Sequence, residues 1–250
     1  MMYNPFSLEK KTILITGASS GIGRQTAIEC SKMGAKVIIT GRNRERLNET
    51  FFLLEGEGHI IIQAELTDGN DVKKLVDDVP SLDGLVLNAG FNFTKLVPFI
   101  KDEDVQNIFS VNALAPILLL RSLVKKKKMS KESSVVFTSS ISAKGISSPG
   151  NCLYSSTKGA LTSFMKNAAL ELAAKKIRCN AVLPGMVETA LKEAKSEITE
   201  EQWEANRQKY PLKRFGHPSD VAFAIIYLLS DASSWVTGSE LIIDGGRSLD

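Results

Sequence analysis

The sequence predicts an α/β fold: one doubly wound parallel sheet with helices on both faces. Three observations predict it. Short apolar, β-branched runs recur along the chain with helical patterns between them. A glycine-rich turn follows the first of these runs directly and opens a helix. No internal repeat, linker or low-complexity tract interrupts the alternation, so the 250 residues read as a single domain able to bury a core.

Residues 12–16 (Thr-Ile-Leu-Ile-Thr) are apolar enough for a strand buried on both faces. Gly17-Ala-Ser-Ser-Gly21-Ile-Gly23 follows, then a helix to about Met33. Gly17 permits a tight turn, Gly21 lets backbone amides approach a pyrophosphate, and Gly23 allows close helix packing. The second strand, 36–40, runs into Gly41-Arg42. Strand 59–63 precedes Glu65 and a charged helix over 70–78, and strand 84–87 ends at Asn88-Ala89-Gly90. A long helix is expected from about Asp102 to Lys128, with Asn112 and Pro116 in its interior. Strand 134–138 leads to Ser140, helix 153–174 follows, and strand 177–183 ends at Pro184-Gly185. Residues 186–212 read as a mobile lid containing one helix, announced by the capping box Thr199-Glu-Glu-Gln202. Pro218 starts the last helix and residues 240–243 close the sheet.

Composition is that of an ordinary soluble protein, 43% hydrophobic and 24% charged. A formal net charge of +3 is too small to argue for nucleic acid or a membrane surface. Cys30, Cys152 and Cys179 form no metal-ligand spacing, so no metal is expected, and reduced thiols suit a cytoplasmic protein. The first ten residues lack a signal peptide's apolar region, and no apolar stretch is read as approaching membrane-spanning length.

Chemistry concentrates between Ser139 and Lys158. On a helix, Tyr154 and Lys158 project from one face. An ammonium beside a phenol favours the phenolate and lowers its pKa, and Ser140, at the neighbouring strand end, is placed to steady an oxygen being protonated. Arg42 stands where readers of NAD carry a carboxylate, and its guanidinium suits the 2′-phosphate of NADP. Pro116 has no amide hydrogen for the Asn112 carbonyl four residues back, which predicts a bent helix and a free carbonyl turned toward Lys158. Met186, Leu191 and Trp203 are candidates to line an apolar substrate pocket, and Cys152 is a candidate for its entrance. Lys125 to Lys128 read either as a docking patch for an acidic carrier protein or as a solvated helix end.

Taken together, Thr16-Gly17-x-x-x-Gly21-x-Gly23, Asn88-Ala89-Gly90, Asn112, Ser140, Tyr154-x-x-x-Lys158, Pro184-Gly185, Pro211-Leu212 with Gly216, and Asp244-Gly245-Gly246 resemble the classical short-chain dehydrogenase/reductase family, in particular its 3-oxoacyl-carrier-protein reductase-like branch. The resemblance spans nearly the whole chain and implies a seven-stranded Rossmann sheet, a bound nicotinamide nucleotide and a homotetramer. It implies that Tyr154 is the general acid, that Ser140 (or Ser142) holds the substrate oxygen, and that Lys158 lowers the Tyr154 pKa. Asn112 would hold a water that relays protons to Lys158. NADP(H) would be gripped by Gly17, Ser19, Ser20, Gly21, Ile22 and Gly23 in the first turn, by Arg42, and by Glu65 and Leu66. Asn88, Ala89 and Gly90, then Tyr154 and Lys158, then Pro184, Gly185, Val187 and Thr189 would complete that grip. Leu87 stands where the family often has an asparagine, Glu65 replaces a family aspartate, and the Ser140–Tyr154 segment is one residue longer. The implied activity is hydride transfer between NADP(H) and a carbonyl or secondary alcohol, free or carrier-linked. Two other readings are an NAD-linked sugar or polyol dehydrogenase and a nucleotide-sensing protein without turnover.

Overall fold

The computed structural model describes residues 3–146, 148–189 and 199–249. Its centre is a parallel sheet of seven strands, β1 (Thr12–Thr16), β2 (Lys36–Gly41), β3 (Ile60–Gln63), β4 (Leu82–Leu87), β5 (Met129–Thr138), β6 (Arg178–Pro184) and β7 (Glu240–Ile243). Their order is β3-β2-β1-β4-β5-β6-β7. The chain winds outward from β1 in one direction and from β4 in the other. A crevice therefore opens above the carboxyl ends of β1 and β4, where such sheets bind ligands.

Strand side chains alternate between two cores, which is why the strands are apolar throughout. Leu14, Ile38, Leu85, Val135 and Phe137 face one core, closed by α3 (Gly69–Asp78), α5 (Ala115–Lys125) and α6 (Cys152–Leu172) through Leu75, Leu119, Leu123, Leu161 and Met165. Ile13, Ile15, Val37, Ile39, Val86 and Val182 face the other, closed by α1 (Gly21–Lys32) and α8 (Pro218–Leu229) through Ala27, Cys30, Val221 and Ile225. Each fully buried Leu, Ile, Val, Phe or Met side chain among these contributes roughly 1.5–3 kcal/mol relative to exposure. Local chemistry fixes the helix starts. Asn43 caps α2 (Arg44–Phe51) by accepting from the Arg46 amide, and Asp68 caps α3 by accepting from the amides of Asn70 and Asp71. The expected Thr199–Gln202 capping box opens α7 (Glu200–Gln208).

Three expectations change. β5 starts at Met129, not 134, because its polar, exposed first residues continue the strand past an irregularity opposite β4 between Leu82 and Gly84. The long helix is divided into α4 (Asp102–Phe109) and α5 by a π-turn over Ser110–Leu114, in which the Ala115 amide donates to the Ser110 carbonyl. The wider turn lies directly before Pro116, whose ring cannot follow an ordinary α-turn without crowding the carbonyl four residues back. The continuous helical run Asp102–Lys125 is, by length and composition, long and apolar enough to cross a membrane, contrary to the reading of the bare sequence. Its apolarity has a local cause: Ile108, Ala113, Leu119, Leu120 and Leu123 are buried within the fold. Of the expected lid, residues 190–198, Leu191 among them, lie outside the described residues.

Candidate active site

The glycine turn after β1 packs against the end of β4. Gly17 has φ +64°, and a Cβ there would come within 2.8 Å of Ala89 Cα. A Cβ on Gly23 would collide with the Gly17 carbonyl and stand 2.6 Å from Asn88 Nδ2. Thr16 Oγ1 accepts from the amides of both Asn88 and Ala89, at 2.9 and 3.0 Å. Asn88 Nδ2 donates to the Thr16 carbonyl at 3.2 Å. The two strand ends are thus stitched together at the crevice.

Ser20, the N-cap of α1, makes no side-chain cap, in contrast to the caps of α2, α3 and α7. A bare helix start beside a glycine turn is suited to a phosphate. Thr189 closes this mouth from the β6 side, since a Cβ on Gly21 would lie 2.8 Å from its Cγ2. Val187 bridges to Gly216, and the Gly185 amide donates to the Ile243 carbonyl at 3.0 Å, which holds the segment beyond Pro184 at the rim. Ser19 Oγ would lie 3.7 Å from a Cβ on Gly41, so the glycine turn and the end of β2 adjoin. Just past β2, Arg42 is exposed and lies 3.5 Å from a Glu65 carboxylate oxygen. Half-buried Ile22 and Leu66 pack on opposite cores. The uncapped turn, close backbone approach and nearby guanidinium fit a dinucleotide.

The catalytic candidates meet at the other end of the crevice. Lys158 is buried and its Nζ donates to the Thr138 carbonyl at 2.8 Å. Desolvation pushes its pKa down to about 8. A Cβ on Gly90 would lie 3.0 Å from Asn112 Oδ1 and 3.6 Å from Lys158 Nζ, which places Asn112 and Lys158 around one small residue. The Asn112 side chain is fully committed: Oδ1 accepts from the Phe91 amide at 3.0 Å, and Nδ2 donates to the Phe91 carbonyl at 2.8 Å.

Burial of the Tyr154 hydroxyl raises its pKa, and the neighbouring Ser140 side chain pulls it the other way without prevailing. Lys158 Nζ lies 5.6 Å from the centre of the Tyr154 ring, and one of its N–H groups is given to the Thr138 carbonyl. In the chain by itself, Ser140 supplies the lowering influence on Tyr154. Ser142 stands behind Ser140: its amide donates to Ser140 Oγ and its hydroxyl accepts from that oxygen, both at 3.2 Å. Asn151 Nδ2 donates to Ser142 Oγ at 3.3 Å.

Several supporting residues escaped the sequence reading. Ser139 and Thr162 hydroxyls pair at 2.7 Å, and Thr162 donates to the Lys158 carbonyl at 2.8 Å. The i, i+4 spacing of Thr162 after Lys158 was a usable signal, since threonine hydroxyls bond back to that carbonyl. Trp203, a candidate for the pocket lining, sits in a small aromatic cluster. It is buried, stacked edge-on against Phe215 with ring centres 5.8 Å apart, and Phe215 also meets Tyr210. The Tyr210 hydroxyl accepts from the Met186 amide at 3.0 Å. Lys126 pairs with Asp77 at 3.2 Å, and Lys128 donates to the Asp77 and Val79 carbonyls at the end of α3.

A glycine turn at the switch point of a parallel sheet, beside a Ser-Tyr-Lys cluster, defines a dinucleotide-dependent oxidoreductase. The chain belongs to the short-chain dehydrogenase/reductase family. Residues 17–248 match the family model described as "Enoyl-(Acyl carrier protein) reductase". The chain is 36% identical over 240 residues to a 3-oxoacyl-[acyl-carrier-protein] reductase of Rickettsia felis, covering 96% of this chain and 97% of that one. It is 32% identical over 246 residues to a glucose 1-dehydrogenase of Gluconobacter oxydans, covering 96% and 92%. Among solved structures it resembles a short-chain type dehydrogenase/reductase from Mycobacterium marinum, with TM-score 0.88, 29% identity and 98% of each chain covered.

Proposed function

We propose that the protein reduces a carbonyl group with NADPH, or oxidises the corresponding secondary alcohol with NADP, and that Tyr154 is its general acid and base. The observation that carries this reading is the meeting of Ser140, Tyr154 and the buried Lys158 at one end of the crevice. The nucleotide supplies or accepts a hydride. Ser140 orients the substrate oxygen, and Tyr154 gives that oxygen its proton. A raised pKa keeps the phenol protonated at neutral pH, which suits an acid in the reducing direction. Lys158 and Asn112 return a proton from solvent, and the lysine's pKa near 8 allows it to release one. A protein that only sensed nucleotide would have no use for this assembly.

Arg42 supports NADP over NAD. Its contact with Glu65 is long and exposed, of the kind worth about 0–1 kcal/mol, so the guanidinium can exchange it for a 2′-phosphate. The relatives named as 3-oxoacyl-[acyl-carrier-protein] reductases support a carrier-linked acyl thioester, and the relative named as a glucose 1-dehydrogenase supports a second reading, a sugar or polyol substrate. The bonds of Lys126 and Lys128 to α3 favour a structural role for the lysine run over carrier docking. Exposed Leu114 at the end of the π-turn, Leu118 on α5, Leu170 on α6 and Phe223 on α8 suit burial in a homotetramer. Three free thiols suit the cytoplasm. The whole chain acts as one domain in this reading, with the segment around 186–212 as its lid.

The test is oxidation of NADPH and NADH against a panel of acetoacetyl thioesters, sugars, polyols and simple ketones, for the unmodified protein and Tyr154→Phe. The expected result is turnover with NADPH and a loss of about two orders of magnitude or more in the variant, which keeps its ring and its nucleotide affinity. Turnover near normal in Tyr154→Phe would remove the phenol from the chemistry.

A further inference from the structure

We propose that Glu240 is a positioning residue for the Ser140–Tyr154 pair, acting through Lys144 and Lys166; this rests on the functional reading above. Glu240 is the first residue of β7, opposite Ala181 of β6, and its side chain is only 7% exposed. Two cations reach it from two different elements. Lys166 Nζ lies 2.5 Å from Oε1, and Lys144 Nζ is paired with Oε2. An almost buried carboxylate depends on such partners, because removing one leaves a charge desolvated and uncompensated.

What the two lysines are attached to gives the cluster its significance. Lys144 ends the short 3₁₀ turn Ile141–Lys144, whose N-cap is Ser140. Lys166 lies on α6, three turns beyond Tyr154 and two beyond Lys158. One carboxylate on the sheet edge therefore ties the turn that presents the serine to the helix that presents the tyrosine and lysine. Upstream, Ser140 is held by the sheet, since the Ser139 amide donates to the Val182 carbonyl at 2.9 Å. Immediately after Ser140 the turn's backbone bonds are local, from the Ser142 amide to Ser140 Oγ and from the Ala143 amide to the Ser140 carbonyl, while Ser142 Oγ accepts from Asn151 Nδ2. Gly145 follows with φ +88°, so the chain turns away at once. Lys144 is the long-range ion-pair tie at the downstream end of this turn. Losing it lets the turn drift, and a shift of a fraction of an ångström suffices to weaken a hydrogen bond that must be formed in the transition state.

The consequence is a split between turnover and binding. Glu240→Gln, Lys144→Met and the double variant are compared with the unmodified protein and Tyr154→Phe, using NADPH and the panel ketone that the unmodified protein reduces fastest. In Glu240→Gln and Lys144→Met, kcat is expected to fall about tenfold, with KM and the NADPH Kd within about twofold. The double variant should be no worse than either single one, since all break the same tie. Glu240→Asp should recover part of the loss. Hydrogen exchange of the amides of residues 141–145 should accelerate in Glu240→Gln, whether or not any panel ketone is reduced. Lys144 is 43% exposed, so its variant folds even if the Glu240 variant does not. Unchanged kcat, additive losses, unchanged exchange, or a fall of kcat and nucleotide affinity in step with Tm would each overturn the proposal. Full turnover in Tyr154→Phe would instead overturn the functional reading, while the exchange experiment would still decide whether Glu240 fixes the turn.

Discussion

Lys158 donates through its Nζ to the backbone carbonyl of Thr138 at 2.8 Å, inside the protein and under the turn that presents Ser140. A single carbonyl compensates an ammonium incompletely, and desolvation lowers the pKa from 10.5 to about 8. Below pH 8 both the folded and the unfolded chain carry the proton, and the fold bears the full cost of burying it. Between about pH 8 and 10.5 the folded chain releases its proton first, so this group's contribution to stability improves as pH rises. The whole effect is at most about 3 kcal/mol. Lys158→Met should therefore be more stable than the unmodified protein at pH 7, and the advantage should shrink toward pH 10. Urea midpoints at several pH values measure it, and an advantage independent of pH would trace it to packing instead.

Arg42 supplies the second prediction. The unmodified protein should bind NADPH at least ten times more tightly than NADH, and Arg42→Asp should erode or reverse that order by removing one cation and adding a repelling carboxylate. Fluorescence titration with both nucleotides reads it directly. Equal affinities in the unmodified protein would show that the guanidinium stays with Glu65.

Pro116 is the third. Pro116→Ala supplies an amide just after the π-turn and removes the ring that excludes an ordinary helical turn. The backbone at Asn112 should tighten toward α geometry and pull its side chain off Phe91. Turnover should fall severalfold while NADPH affinity changes little. If both are unchanged, the π-turn has no part in the reaction.

Cys152 is exposed at the first position of α6, two residues before Tyr154. Its alkylation should stop turnover, and bound substrate or nucleotide should slow the labelling. Cys30 and Cys179 are buried and their thiol pKa values are raised, to about 12 in Cys179, so a neutral-pH reagent should leave them untouched. Confirmed labelling of Cys152 with full activity would place the thiol away from the entrance.

The sequence by itself determined the sheet, the glycine turn and the face shared by Tyr154 and Lys158. Each is a local property: β-branched runs are legible as strands, a glycine turn between strand and helix has few other uses, and residues four apart on a helix must share a side. Pro116 announced a break, because a missing amide is visible in the sequence. The form of the break was decided only when Asn112 found Phe91 and the backbone widened into a π-turn. The partner of Lys158, the destination of Trp203 and the pairing of Glu240 with two lysines were likewise decided by tertiary structure. Glu240 reads as an ordinary strand-edge acid until β7 is laid beside β6. The physical reason is separation along the chain: an ion pair or a carbonyl acceptor leaves no periodicity, and nothing in the local sequence names a partner that folding brings from a different element.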